Sequence, residues 1–571
     1  MKNVSWRFKN SLINPSEITE FSNKYKLSYV MATILLNRGL KSEKDVVGYI
    51  KKSLEEINNP ELLPDIDIAV DRIIKAIENK EKIMIYGDYD ADGVTSTSLL
   101  YKFLEKNGAD VSYFIPDRIK DGYGLNIMNI NKISKLGIKL LITVDCGIAS
   151  FGEIELANAQ KMDVIITDHH SCREKLPRAL AVINPKRADS EYPFRELAGV
   201  GVAFKLVLAL AKKMGHNTKE CFDEYVDIAA IGTIADVVSL QGENRVIAAK
   251  GIEKLENTKN KGLKTLLDVA GCSNKKIDSK TVAFALSPRN NAAGRMESAT
   301  LALELLLENN EEKAYELSVK LDEINKLRQK TEQEIFQEAI ELIEEDKEFE
   351  KKNIIVLAKE GWHHGVIGIV ASRICEMYYK PCILLSIEGD SAKGSGRSKE
   401  GINLFEALTF CDELLTKYGG HSQAAGLTLD KNLIGEFSQK IDKYIKDNVT
   451  GELVKTLDID CTIPSSFVTM QNAKLMDWLE PFGEGNEKPV FAMSGVKVIE
   501  ALAIGMDNKH LRLKIDAQGK VIDAVGFSFG EYAAYLKSGL FIDIAFNLDI
   551  NEYMGTQKVQ LVLKDIKSSK R

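Results

Sequence analysis

Between about residues 66 and 240, short apolar runs alternate with stretches of helical spacing. The runs are KIMIYG (82–87), VSYFIP (111–116), KLLITVD (139–145), DVIITD (163–168) and AVINP (181–185). Runs this short and apolar read as buried strands, and strands separated by helices pair in parallel. The pattern predicts an α/β domain built on a doubly wound parallel sheet. In such a sheet, functional groups collect at the carboxyl ends of the strands.

Several of these strands end in acids or histidines. KIMIYG runs into GDYDADG, with Asp88, Asp90 and Asp92 at alternate positions. A calcium-binding helix-loop-helix opens in the same way, but it needs a glutamate at position twelve, where this chain has Leu99. It also needs a helix, not a strand, in front of the loop. KLLITVDCG ends in Asp145, DVIITDHH ends in Asp168, His169 and His170, and IAAIGTIADVV places Asp236 in an otherwise apolar stretch. Helix capping accounts for Asp145 or Asp236 taken singly. It does not account for so many groups converging on one sheet edge, where carboxylates repel unless a cation lies among them. A mixed Asp/His set without thiolates suits Mn²⁺ or Mg²⁺. Two such ions sharing a carboxylate are suited to phosphoester hydrolysis.

The rest of the chain sorts into regions. Residues 1–65 read as a helical lead-in, 66–242 as the parallel-sheet domain and 243–347 as a helical region. That region ends in a long charged helix with Leu317, Leu321, Ile324 and Ile335 on one stripe, interrupted by Arg328 and Thr331. Residues 348–450 read as a second, smaller α/β domain, and 451–571, with short alternating runs, as an antiparallel barrel of the OB type. The 44% hydrophobic and 28% charged composition is that of an ordinary globular chain. The eight cysteines form no C-x-x-C pair, which points to reduced thiols and a cytoplasmic setting. No apolar run reaches the length of a membrane span, and MKNVSWRFKN lacks a signal-peptide core. The net charge of −7 neither implies nor excludes a nucleic-acid partner.

GDYDADG, VDCG, TDHH and GTIADVV, in that order, resemble the motifs of the DHH phosphoesterase superfamily. The resemblance extends through LSPRNNAAGRM (286–296), GWHHGVIGIVASR (361–373), KGSGRS (393–398), YGGHSQAAG (418–426) and FGEGNEKPVF (482–491). These segments are similar to those of the superfamily's single-strand-specific DNA exonucleases, which carry a long connecting helix, a DHH-associated domain and a terminal barrel. The smaller relatives that cut oligoribonucleotides or pyrophosphate stop after the second domain.

The resemblance implies a site. Asp90 would serve one ion and Asp92 the other, Asp145 would bridge them, and His169 and Asp236 would complete the ligands of the second ion. Asp88 would be a ligand or near neighbour of the first ion, His170 a contact to the scissile phosphate, and Asp168 an acceptor orienting an imidazole. Arg118, in FIPDRIKDGYG, matches a position implicated in the 5′ end. Arg289, Asn290 and Arg295, flanking and within a tight NNAAG segment, and Ser395 and Arg397, among glycines that admit an anion, would handle phosphate. A surface salt bridge is the alternative for each arginine. His421 belongs to the element that closes over the substrate. Trp362 and His363 would either stack on a base or pack, and Lys509, Arg512 and Lys514 are candidates for a single-strand groove on the barrel.

The activity implied is a two-metal exonuclease digesting single-stranded DNA 5′ to 3′ to 5′ mononucleotides in recombination and repair. Its expected partners are single-stranded DNA, a single-strand-binding protein and a RecQ-type helicase, with no membrane. The alternatives are a phosphodiesterase for oligoribonucleotides or small nucleotides, and a non-catalytic scaffold on this fold.

Overall fold

The structure, a computed structural model, describes residues 4–118, 120–122, 124–449, 454–553 and 555–569. Ile119 and Tyr123 of FIPDRIKDGYG lie outside the described residues. The chain divides into two compact units, Ile57–Val238 with Glu243–Leu453, and Met1–Glu56 with Ser239–Gly242 and Val454–Arg571.

The larger unit contains the expected parallel sheet. Its strands lie in the order Asp110–Phe114, Lys82–Gly87, Leu140–Val144, Asp163–Thr167, Ala181–Ile183, every pair parallel. The strands at 82–87 and 140–144 are neighbours although the chain leaves them in opposite directions across the sheet. A crevice opens at such a reversal, beyond the carboxyl ends of the strands. The sheet is apolar because both faces are covered: Ile83, Ile85, Leu140, Ile142 and Ile165 are fully buried.

A long helix, Glu311–Glu345, leads to the second α/β domain. There the strand order is Lys417–Gly420, Ala424–Asp430, Ser391–Arg397, Cys382–Glu388, Ile355–Glu360. Only the last two pair in parallel. The stripe on the long helix differs from expectation. Leu317 is only half-buried, while polar Ser318, Asp322 and Asn325 are buried among Ala314, Leu321 and Ile324. Each is satisfied, Ser318 by Thr265 (2.9 Å), Asp322 by Arg289 and Asn325 by Arg328.

The smaller unit is the barrel. Strands Phe491–Ile504, His510–Ala517, Lys520–Gly526, Thr556–Ser568 and Phe541–Tyr553 follow one another, and the first pairs with the last to close it. Its core joins Phe491, Leu513, Ile544 and Phe546 to Ile18, Phe21, Met31 and Leu35 of the lead-in. The lead-in is not wholly helical, because Val4–Phe8 is a strand paired in parallel with Lys455–Ile459. FGEGN has a structural use here: Asn486 is buried and accepts from Tyr49 (2.6 Å) and Arg38 (2.9 Å). Glu484 and Gly485 bind the Ser239–Gly242 segment through their carbonyls.

Candidate functional site

The aspartate turn follows Lys82–Gly87 and begins the helix Ala91–Lys106, which Asp90 caps by accepting from Asp92 N and Gly93 N, both at 3.0 Å. Asp92 points from the first turn of that helix to the start of another, Gly199–Lys213. Its two oxygens accept from Gly199 N (2.7 Å) and Val200 N (2.8 Å), where the helix dipole favours a negative charge. Asp145 follows the neighbouring strand with left-handed backbone (φ 59°) and does not cap the next helix, whose N-cap is Ser150. Asp236 sits at the C-terminal end of Thr218–Ala235, the negative end of that helix. Capping therefore explains neither of these two, and Asp236 lies where a lone carboxylate is least welcome. The next residue, Val237, is also left-handed (φ 60°), a strained conformation for a β-branched side chain.

The DHH turn brings an imidazole to these acids. His169 Nε2 lies 3.2 Å from Asp145 Oδ1, 3.6 Å from Asp236 Oδ2 and 4.0 Å from Asp92 Oδ2. Burial, then the neighbouring His170, push its pKa down to about 3, so it presents a neutral ring with a free lone pair. Asp168 is buried and accepts from His169 N (2.7 Å), His170 N (3.0 Å) and Ile148 N (2.9 Å), and its Oδ1 meets His170 Nδ1 at 2.7 Å. The imidazole it orients is thus that of His170. Burial opposes the charge on Asp168, but these hydrogen bonds outweigh it and hold the pKa below the usual carboxylate range.

The other acids behave oppositely. Burial, then repulsion from Asp90, raise Asp92 to about 7, and burial, then Asp92 and Asp90, raise Asp236 to about 9. Asp88 and Asp145 are raised well above the ordinary range, chiefly by burial. Asp88 Oδ1, Asp145 Oδ1 and His169 Nε2 are buried without hydrogen-bond partners, which is the condition a cation would relieve. Among the described residues, three sets of potential ligand atoms lie close enough to hold an ion: Asp88 with Asp90 and Asp145, Asp92 with His169 and Asp236, and Asp145 with His169 and His170. The residues present fit divalent cations, with Asp145 in two of the three sets.

A second group of residues is cationic. Arg118 lies over the ring of Tyr89, inside the aspartate turn (5.0 Å to the centroid). Arg295 donates to Gly365 O (3.2 Å), and Arg397 to Ser395 Oγ (3.1 Å) and Gly396 O (2.7 Å). Burial, then repulsion from Arg118, Arg397 and Arg328, push Arg295 down to about 9. Burial, then Arg118, also lower Arg397. Arg118 thus bears on both Arg295 and Arg397, and clustered guanidinium groups are chemically suited to an anion.

Several expectations need correction. NNAAG is not a tight turn but part of the helix Ser287–Met296, with Pro288 in its first turn. Arg289 makes the alternative salt bridge, to Asp322 (Nε 2.9 Å, Nη2 2.7 Å), and also donates to Ala285 O (2.6 Å). Asn290 is buried. The glycines of KGSGRS do not offer backbone to an anion. Gly394 and Gly396 lie in a strand paired on both sides, and a Cβ would strike Leu385 at 2.5 Å or Leu404 at 2.7 Å. Alternation sends Ser395 and Arg397 to the other face. Trp362 is buried and donates to Glu338 (2.7 Å), so it packs, and His363 caps the helix His364–Tyr378. His421 is exposed at the end of a hairpin.

Two residues escaped the sequence reading. Asn291 Oδ1 accepts from Ala91 N (2.8 Å) and ties the Ser287–Met296 helix to the aspartate turn. Arg328, taken as a break in an apolar stripe, is near enough to Arg295 to help lower its pKa. Only the polar content of a nominally apolar stripe signals it.

Residues 82–233 match the DHH family, N-terminal domain, residues 351–447 the DHHA1 domain, and residues 459–565 the RecJ OB domain. The sheet-edge cluster and the domain that follows it are those of a DHH-family phosphoesterase. The chain is 38% identical over 552 residues to the single-stranded-DNA-specific exonuclease RecJ of Bacillus subtilis (strain 168), covering 96% of this chain and 69% of that protein. RecJ from Thermus thermophilus in complex with Mn²⁺ is similar with a TM-score of 0.84 and 29% identity, covering 100% of this chain and 80% of that one. Its complex with Mg²⁺ is similar with a TM-score of 0.78 and 28% identity, covering 100% and 79%. The chain belongs to the RecJ family.

The raised carboxyls have a consequence for pH. Their folded pKa values exceed the unfolded ones, so between about pH 4 and pH 9 these four carboxyls bind more protons in the metal-free folded chain than in the unfolded one. Their contribution to stability therefore falls as pH rises through that window. Divalent cations displace the same protons, so Mn²⁺ affinity is expected to rise between about pH 6 and pH 8.5, with proton release. Calorimetric titration in two buffers of different ionisation enthalpy measures both. An affinity independent of pH would contradict the raised carboxyls.

Proposed function

We propose that this chain is a metal-dependent exonuclease that degrades single-stranded DNA from its 5′ end to 5′ mononucleotides. The observation that carries this reading is the presence, in one compact unit, of the Asp/His cluster and of Arg118, which lies over Tyr89 of the aspartate turn and repels both Arg295 and Arg397. Asp88, Asp90 and Asp145 would hold one divalent cation, and Asp92, His169 and Asp236, with Asp145 shared, the other. Bound there, such ions supply activation of water and neutralise charge at the leaving oxygen. His170, held by Asp168, donates to the scissile phosphate. Arg118, Arg295, Ser395 and Arg397 bind a terminal 5′-phosphate, a dianion that only a strand end offers, so cleavage starts there.

The proposed domains are the DHH domain over 66–242, the DHH-associated domain over 348–450 and the barrel from 451, although Ser239–Gly242 groups with the barrel's unit. The enzyme acts in the cytoplasm on strands exposed by a RecQ-type helicase and coated by a single-strand-binding protein. Mn²⁺-dependent digestion of 5′-phosphorylated single strands, compared with duplex DNA, RNA and dinucleotides, tests the reading. Long single-stranded DNA is expected to be degraded fastest, with mononucleotides as product. Rapid cleavage of dinucleotides with refusal of long DNA would replace it with a small-nucleotide phosphodiesterase.

A further inference from the structure

We propose that Glu332, on the long helix, is a positioning residue that holds the 5′-phosphate pocket in register by bridging Arg328 and Arg373. The inference rests on the 5′-end reading above. Glu332 Oε2 accepts from Arg328 Nη1 (2.6 Å) and Oε1 from Arg373 Nη1 (2.8 Å). The Glu332 and Arg328 side chains are only 13% and 11% exposed, so little water competes for either. Arg328 is further fixed by buried Asn325 (2.6 Å), and the Arg373 guanidinium lies over the Phe336 ring, 3.9 Å from its centroid.

Both bridged arginines lead to the pocket. Arg373 belongs to the helix His364–Tyr378, whose Gly365 carbonyl holds Arg295. One turn along, Gly368 lies against Ser395 and Arg397 so closely that a Cβ would come within 2.9 Å of Ser395 Oγ and 3.0 Å of Arg397 Nη2. Arg328 is near enough to Arg295 to repel its charge. The same long helix holds the Arg295-bearing helix through Asp322 and Arg289, and Trp362 through Glu338. It thus acts as a ruler with three acidic marks, and Glu332 is the mark that bridges two arginines. Without its charge, two guanidinium groups lose their shared counter-ion, and the helix behind Ser395 and Arg397 is free to shift.

The test compares 5′-phosphorylated with 5′-hydroxyl single strands in Mn²⁺ for the wild-type chain, Glu332→Gln and Arg373→Lys. For Glu332→Gln, the preference in kcat/KM for the phosphorylated end is expected to fall about tenfold through KM, with kcat at saturation nearly unchanged. Arg373→Lys, which keeps the charge but not the planar fork, is expected to lose a smaller part of the preference. It carries the comparison if Glu332→Gln fails to fold. Equal slowing on both substrates, or an unchanged preference, overturns the positioning role. A wild-type chain with no preference for the phosphate overturns instead the 5′-end reading beneath it.

Discussion

Asp145→Asn is expected to lower exonuclease turnover by at least about a thousandfold while the fold survives. Asparagine tolerates the left-handed backbone that Asp145 adopts (φ 59°) as well as aspartate does. It also keeps the volume that Gly199 leaves for it, where even a Cβ on the glycine would lie 2.5 Å from Asp145 Oδ1. What changes is charge. Asp145 contributes to two of the three potential ion sites and faces His169 Nε2 at 3.2 Å. Losing its negative oxygen weakens both cation sites together, whereas Asp236→Asn weakens one. In chelator the variant should melt higher than the parent, because one of several mutually repelling buried carboxylates is gone. In Mn²⁺ the order should reverse, since binding to the folded state stabilises the parent more. Thermal melts with and without Mn²⁺, beside a turnover assay, measure all of this. Turnover within tenfold of the parent, or undiminished stabilisation by Mn²⁺, would rule out Asp145 as the shared ligand.

Asp168→Asn should be nearly as damaging for a different reason. Asp168 Oδ1 serves His169 N, His170 N and His170 Nδ1, and Oδ2 serves Ile148 N. An asparagine keeps the first set only by turning its NH₂ toward the Ile148 N–H. Two buried donors then face each other, at a cost of about 1–3 kcal/mol. His170 loses the carboxylate that orients its ring, and turnover is expected to fall about a hundredfold or more. Mn²⁺ affinity should change much less, because the Asp92, Asp145 and Asp236 carboxylates are untouched. The informative comparison is kcat against metal affinity in the same preparation. A loss of both in proportion would reduce Asp168 to a structural support of the turn.

The parallel sheet was legible in the sequence because a strand buried on both faces must be apolar without a break, and such runs stand between helical stretches; only the edge strand Asp110–Phe114 lacks buried residues. The barrel was legible from alternation, with Leu511, Leu513 and Ile515 buried in turn on one strand. The acids at the strand ends were legible because carboxylates beside a buried strand need a reason to be there. The strand Val4–Phe8 was not legible, since its partner Lys455–Ile459 lies at the far end of the chain and no local pattern encodes so distant a pairing. Arg289 and Arg295 looked equivalent in SPRNNAAGRM. Six residues apart on a helix, they face different neighbours, one Asp322 and the other Gly365. The glycines of KGSGRS suggested anion binding, but pleat alternation turned them into the core.

Residue type and local periodicity alone therefore determined the layers of the fold, the edge at which charged groups end, and the chemical character of those groups. Both are short-range properties, governed by burial and by backbone repeat. Only the tertiary structure decided which groups share space. His169 reached Asp236 because strand order placed Asp163–Thr167 beside Leu140–Val144 and a helix returned its C-terminus to the same edge. Arg118, Arg295 and Arg397 came within electrostatic reach of one another where the long helix binds neighbouring helices through Asp322 and Glu332. Which charge meets which is a long-range outcome of packing, and no window of sequence contains it.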